Sequence, residues 1–156
     1  MTTTHEFVPL QFPLESEEGW PPVSAECLPM RPTAAGFEVT IPPLFVKGLS
    51  VGDVIEVTLE PSDGRVASWR HAHRSGHSTV WLLVLTAAAT PSLARTLDGL
   101  RVLGCGTAEF ATMGTYSIDV PPTVSMADVD ALLADLDEAA VAVAFPSLRG
   151  QDPAVQ

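Results

Sequence analysis

The chain has 156 residues, 46% hydrophobic and 17% charged. This is the composition of a globular protein of one domain or two very small ones, and it excludes a disordered chain. The formal net charge of -11 and a pI of about 4.5 set the surface against phosphate backbones and anionic bilayers, so neither nucleic acid nor membrane is expected as a partner.

Met1–Glu6 lack a basic stretch followed by an apolar one. The longest apolar run, Val80–Ala89, falls well short of the roughly twenty residues that span a bilayer. A cytoplasmic location is expected. Cys27 and Cys105 form no CxxC pair and no zinc spacing, so both are expected as buried free thiols.

Residues 1–23 are rich in Pro and Glu, with Glu15, Glu17, Glu18 and the turn Gly19-Trp20-Pro21-Pro22. They read as an irregular arm anchored by Trp20. Residues 24–79 read as a β-rich subdomain. Phe37, Val39 and Ile41 alternate with polar residues, as do Ile55, Val57 and Leu59, and period-two alternation predicts strands with one buried face. Pro61-Ser62-Asp63-Gly64 predicts a turn, and a further strand follows over Val66–His73. A small, strongly bent sheet or half-barrel is expected.

Residues 80–149 change character. Val80–Leu85 is apolar on both faces and predicts a central strand. Thr90 as cap and Pro91 at the first position open a helix with the stripe Leu93, Leu97, Leu100 and Leu103, which Gly104 stops. Ala108 and Phe110 alternate on a strand, Met113-Gly114 turns, and Tyr116, Ile118 and Val120 share a face of the next. Ser125 and Asp128 form a capping-box pattern ahead of Val129, Leu132, Leu133 and Leu136. Val141–Phe145 closes the order β-α-β-β-α-β, that of the ferredoxin-like unit. The expected fold class is therefore α+β, a β-rich N-terminal half-barrel packed on a ferredoxin-like unit, with residues 150–156 as a tail.

Three segments carry a family resemblance. They are Gly19-Trp20-Pro21-Pro22 with Glu26, then Pro43-Leu44-Phe45-Val46-Lys47-Gly48-Leu49-Ser50-Val51-Gly52-Asp53-Val54, then Arg74-Ser75-Gly76-His77-Ser78-Thr79-Val80. In this order the chain resembles the bacterial Domain of Unknown Function 4265 family over about Gly19 to Phe145. The resemblance implies a family without an assigned activity.

Arg74-Ser75-Gly76-His77-Ser78-Thr79 is the foremost candidate site. A guanidinium, three hydroxyls and an imidazole together suit a carboxylate or phosphate, with His77 as general acid or base and Arg74 as anion clamp. The competing reading is a structural junction, in which Gly76 permits the bend and Ser75, Ser78 and Thr79 satisfy backbone groups. His77-Ser78-Thr79 also fits the His-x-Thr pattern of two-histidine phosphoesterases, but no second copy exists.

His71, His73 and His77 lie close enough to suggest a metal. Arg70 and Arg74 between them oppose a cation, so two exposed strand histidines beside a structural one are the preferred reading, and neither metal nor cofactor is expected. Glu26 and Asp53 share the family-like segments with His77 and are candidates to converge on it; local structural roles are the alternative. The acidic face of the second helix, Asp128 to Glu138, reads as solvated.

No phosphate loop, nucleophile elbow or dinucleotide fingerprint is present. The expected function is a ligand-binding or protein-interaction module centred on Arg74–Thr79, with a small molecule or a protein as partner. The alternative is an accessory enzyme, a cyclase, isomerase or hydrolase acting through His77 and Arg74.

Overall fold

The structure, a computed structural model, describes residues 6–87 and 90–150. Among these residues nine strands form two antiparallel sheets, and two α-helices accompany the second, so the fold is α+β. The first sheet contains β1 (Val8–Pro13), β2 (Ala25–Thr33), β3 (Gly36–Val39), β4 (Val54–Leu59) and β5 (Val66–His73), paired in chain order. The second contains β6 (Ser78–Val84), β7 (Gly106–Phe110), β8 (Thr115–Val120) and β9 (Val141–Ser147), in the order β7-β8-β6-β9. Helix α1 (Thr90–Leu103) joins β6 to β7, and α2 (Met126–Leu133) joins β8 to β9.

Each sheet has its own core. In the first, Leu10, Phe12, Leu28, Met30, Val39 and Ile55 project inward and meet Val46 and Leu49 from the β3–β4 connection. In the second, Val80 and Leu82 of β6 and Ile118 and Val120 of β8 face Leu93, Leu97 and Leu100 of α1 and Val129 and Leu133 of α2. Burying side chains of this kind contributes roughly 1.5–3 kcal/mol each. The opposite face of the second sheet carries Thr79 and Trp81 of β6 and Thr115, Ser117 and Asp119 of β8. It is covered by the β3–β4 connection, which receives hydrogen bonds from Trp81 Nε1 and Ser117 Oγ on the Pro43 carbonyl, both at 2.7 Å. This polar seam joins the two sheets.

Helix α1 stops as its glycine requires. Gly104 takes φ 109°, its N–H donates to the Arg101 carbonyl at 3.0 Å, and the Cys105 N–H reaches back to Leu100 at 3.0 Å. This is the Schellman pattern of closing bonds. The side chain of Thr90, expected as the cap, lies outside the described residues, as does the tail beyond Gly150.

Several expectations are corrected. Residues 1–23 are not wholly irregular: β1 pairs along β2, Leu10 opposite Leu28, because Leu10 and Phe12 share one face of the strand and bury it against the apolar face of β2. Strand β3 ends at Val39, and Ile41 is 40% exposed. The β3–β4 connection leaves the sheet there, and Gly52 returns its N–H to the Val39 carbonyl at 2.8 Å. Ser125 caps α2 without a side-chain bond; its carbonyl instead accepts from Asp128 and Val129, both at 3.2 Å. Cys27 is exposed while Cys105 is buried, since Glu26, Leu28 and Met30 hold the inward positions of β2. Among the described residues no helix is long and apolar enough to cross a membrane.

Candidate functional site

Arg74–Thr79 crosses from the first sheet to the second, and its side chains spread to different partners. Ser75 faces back toward the turn before β4. Its N–H donates to Asp53 Oδ1 at 2.8 Å, and its hydroxyl donates to the Val51 carbonyl at 2.6 Å. Asp53, only 2% exposed, also accepts from the Ser50 N–H at 3.0 Å and faces His71 Nε2 at 3.1 Å. Burial pushes the Asp53 carboxyl up, but the His71 bond, the Ser75 and Ser50 amides and the His71 charge outweigh it and hold the pKa below its ordinary 3.8.

His77 turns the other way. Its Nδ1 stands 2.7 Å from Asp119 Oδ1 on β8, and its side chain is 23% exposed. An ionised carboxylate only accepts, so with Asp119 charged Nδ1 carries a proton, and in the neutral ring Nε2 is the acceptor. Burial raises the Asp119 pKa by more than the His77 hydrogen bond and charge lower it. The carboxyls of Asp53 and Asp119, each beside an imidazole, are thus shifted in opposite directions, because backbone amides add to the imidazole at Asp53.

Ser78 and Thr79 are stitches. Ser78 Oγ accepts the Arg149 N–H at 2.8 Å, while the Arg149 guanidinium reaches the Pro121 and Pro122 carbonyls, each at 3.0 Å. Thr79 Oγ1 lies 3.0 Å from the Leu49 carbonyl, next to Ser50, whose hydroxyl donates to Ser147 Oγ at 2.8 Å. Arg74 is half-buried, and its Nη1 is buried with no hydrogen-bond partner among the described residues.

Glu26 does not join this group. It sits on the inward face of β2 and accepts the N–H groups of Leu44, Phe45 and Val46 at 2.7, 2.9 and 2.9 Å. It is the clamp of the β3–β4 connection. The three histidines share no focus. His71 faces Asp53, His77 faces Asp119, and His73 is exposed. Among the described residues no group of three His, Cys, Asp or Glu side chains is arranged to hold a metal. Burial and the Asp119 charge push the Cys105 thiol up against the opposing Arg149, which disfavours the nucleophilic thiolate.

A separate concavity lies away from this segment. A groove of about 1060 Å³ opens between the Glu15–Pro21 segment, the facing ends of β1 and β5, and Phe45–Lys47. All three tryptophans of the chain, Trp20, Trp69 and Trp81, line it. Trp20 is 38% exposed and meets Phe45 edge-on, with ring centroids 5.7 Å apart. Trp81 is oriented by its bond to Pro43, and Trp69 stands edge-on to His71 at 5.2 Å.

Sequence reasoning missed Asp119 and this groove. The alternation of Tyr116, Ile118 and Val120 already puts Asp119 on the polar face of β8, but nothing local pairs it with His77, 42 positions away. The tryptophans come from three distant segments, and only their assembly reveals the groove.

The fold and site define a two-sheet α+β protein whose halves are joined by a hydrogen-bonded seam beside an aromatic groove. The family model described as "Domain of unknown function (DUF4265)" matches residues 27–144, and the chain belongs to that family. The matched span includes the Pro43–Val54 and Arg74–Val80 segments; Gly19–Pro22 lies outside it. A solved structure, "Novel crystal structure of a hypothetical protein from Neisseria gonorrhoeae", is similar with a TM-score of 0.73 at 18% identity, covering 96% of this chain and 100% of that one. At that identity the likeness shows the fold alone. No curated protein matches the chain.

Proposed function

We propose that this protein is a small-molecule-binding module whose ligand occupies the groove lined by Trp20, Trp69 and Trp81. The observation that carries this reading is the gathering of all three tryptophans on one groove of about 1060 Å³, a size suited to small ligands. Aromatic side chains that line an open groove supply apolar contact area at little entropic expense. In this reading Arg74–Thr79 is the frame of the site. It joins β5, which carries Trp69, to β6, which carries Trp81, and the bonds of Ser75, Ser78 and Thr79 fix that junction.

The strand order β7-β8-β6-β9, with a helix after β6 and after β8, supports a ferredoxin-like second unit. The approach of β1 to β5 supports a half-barrel for the first. The free thiols of Cys27 and Cys105 favour a reducing, cytoplasmic setting, and the charge of -11 disfavours nucleic acid or an anionic membrane as partner.

Saturation-transfer NMR against a mixture of cytoplasmic metabolites tests the reading. Binding should survive His77→Ala and be lost in Trp20→Ala. Binding lost in the first variant and kept in the second refutes it.

A second reading, an accessory enzyme, is favoured by the partly exposed His77–Asp119 pair and by Arg74 Nη1, buried without a hydrogen-bond partner among the described residues. His77 would move a proton and Arg74 hold an anionic group. Turnover of a substrate that persists unchanged in a folded His77→Ala variant removes this reading.

A further inference from the structure

Resting on the groove reading above, we infer that the ligand is a small organic ammonium ion carried on an apolar body. The charges around the groove carry the argument. Asp63 and Arg65 face each other at 3.8 Å and offset one another. Glu15, Glu17 and Glu60 also line the groove, and among the described residues their carboxylates take no hydrogen bond and no ion pair. Lys47 is the only other cation on the lining. The rim is therefore net negative, and the whole chain, at -11, repels an anion from solution.

The aromatic lining selects the same charge. The faces of indole rings carry negative potential and attract ammonium groups, more strongly once water is displaced. An apolar body would lie against Phe45, Val66 and the tryptophans while the ammonium faces the carboxylates. A carboxylate or phosphate ligand would meet this rim unfavourably, with Lys47 as its one counter-charge without an ion pair among the described residues.

Tryptophan emission tests this on the full chain, because every tryptophan lines the groove. The probes are choline and its neutral isostere 3,3-dimethylbutan-1-ol. Choline should change the emission saturably and bind about tenfold tighter than the alcohol, as one cation–π contact with charge support provides. The double variant Glu17→Gln, Glu60→Gln alters exposed side chains and should weaken choline several-fold while leaving the alcohol unchanged. Equal affinity for the two probes, or choline binding indifferent to the double variant, overturns the ammonium class and leaves the groove reading standing. No change in emission with either probe up to about 100 mM, far above a millimolar dissociation constant, overturns both.

Discussion

His77 Nδ1 stands 2.7 Å from Asp119 Oδ1, and the carboxylate it faces is held above its ordinary pKa. Burial raises it, and the imidazole only partly compensates. A carboxyl raised on folding binds its proton more tightly in the native state. Its contribution to stability is therefore fully present below the unfolded value of 3.8 and is lost as pH rises through the raised native value. Asp119→Asn keeps an oxygen acceptor for Nδ1 and removes the charge. The stability of this variant relative to the parent should rise with pH from about 3 to 7, read from urea midpoints across that range.

Asp53 should show the opposite sign. Its pKa is lowered, so its contribution is present above 3.8 and is lost as pH falls through the native value. Asp53→Ala strands the imidazole of His71 and the N–H groups of Ser50 and Ser75. It should lose about 3 kcal/mol near neutral pH, and the loss should shrink in acid. Chemical denaturation at pH 7 and pH 3 checks both parts.

Glu26 holds three consecutive backbone N–H groups, and two of their residues, Phe45 and Val46, line the groove. Glu26→Ala should cost about 2 kcal/mol and speed hydrogen exchange at Leu44, Phe45 and Val46. It should also weaken groove ligands without touching any of them directly. Amide exchange measured by NMR reads the first effect residue by residue.

Gly52 and Gly64 make a matched test of the seam. Both have positive φ, 85° and 73°. A Cβ at Gly52 would meet Ser75 Cβ at 2.8 Å, while one at Gly64 meets nothing within 4 Å. Gly64→Ala should cost about 1 kcal/mol, the strain of a left-handed residue. Gly52→Ala should cost at least about 2 kcal/mol, because backbone strain is joined by displacement of Ser75 from Asp53. Thermal melts of the two variants decide it.

The elements were largely legible because their signals are local. The alternation of Ile55 and Val57 and the spacing of Val129, Leu132 and Leu133 each describe one face of one element. The arm misled because Leu10 and Phe12 gain a buried face only when β2 lies beside them. Asp53, Ser75 and Glu26 were visible as residues, but their partners were not: Asp53 and Ser75 are 22 positions apart, and Glu26 reaches residues 18 to 20 positions away. Hydrogen bonds across such separations are set by packing and leave no periodic trace.

The groove can be interrogated directly through the indole N–H signals of Trp20, Trp69 and Trp81 in a proton–nitrogen correlation spectrum, recorded while small-molecule ligands found by screening are titrated in. The account predicts saturable shifts of all three indole signals and of the Phe45 and Val46 amides, with His77 and Ser75 unmoved. Shifts confined to His77, Ser75 and Asp119, with the three indole signals unmoved, would contradict it.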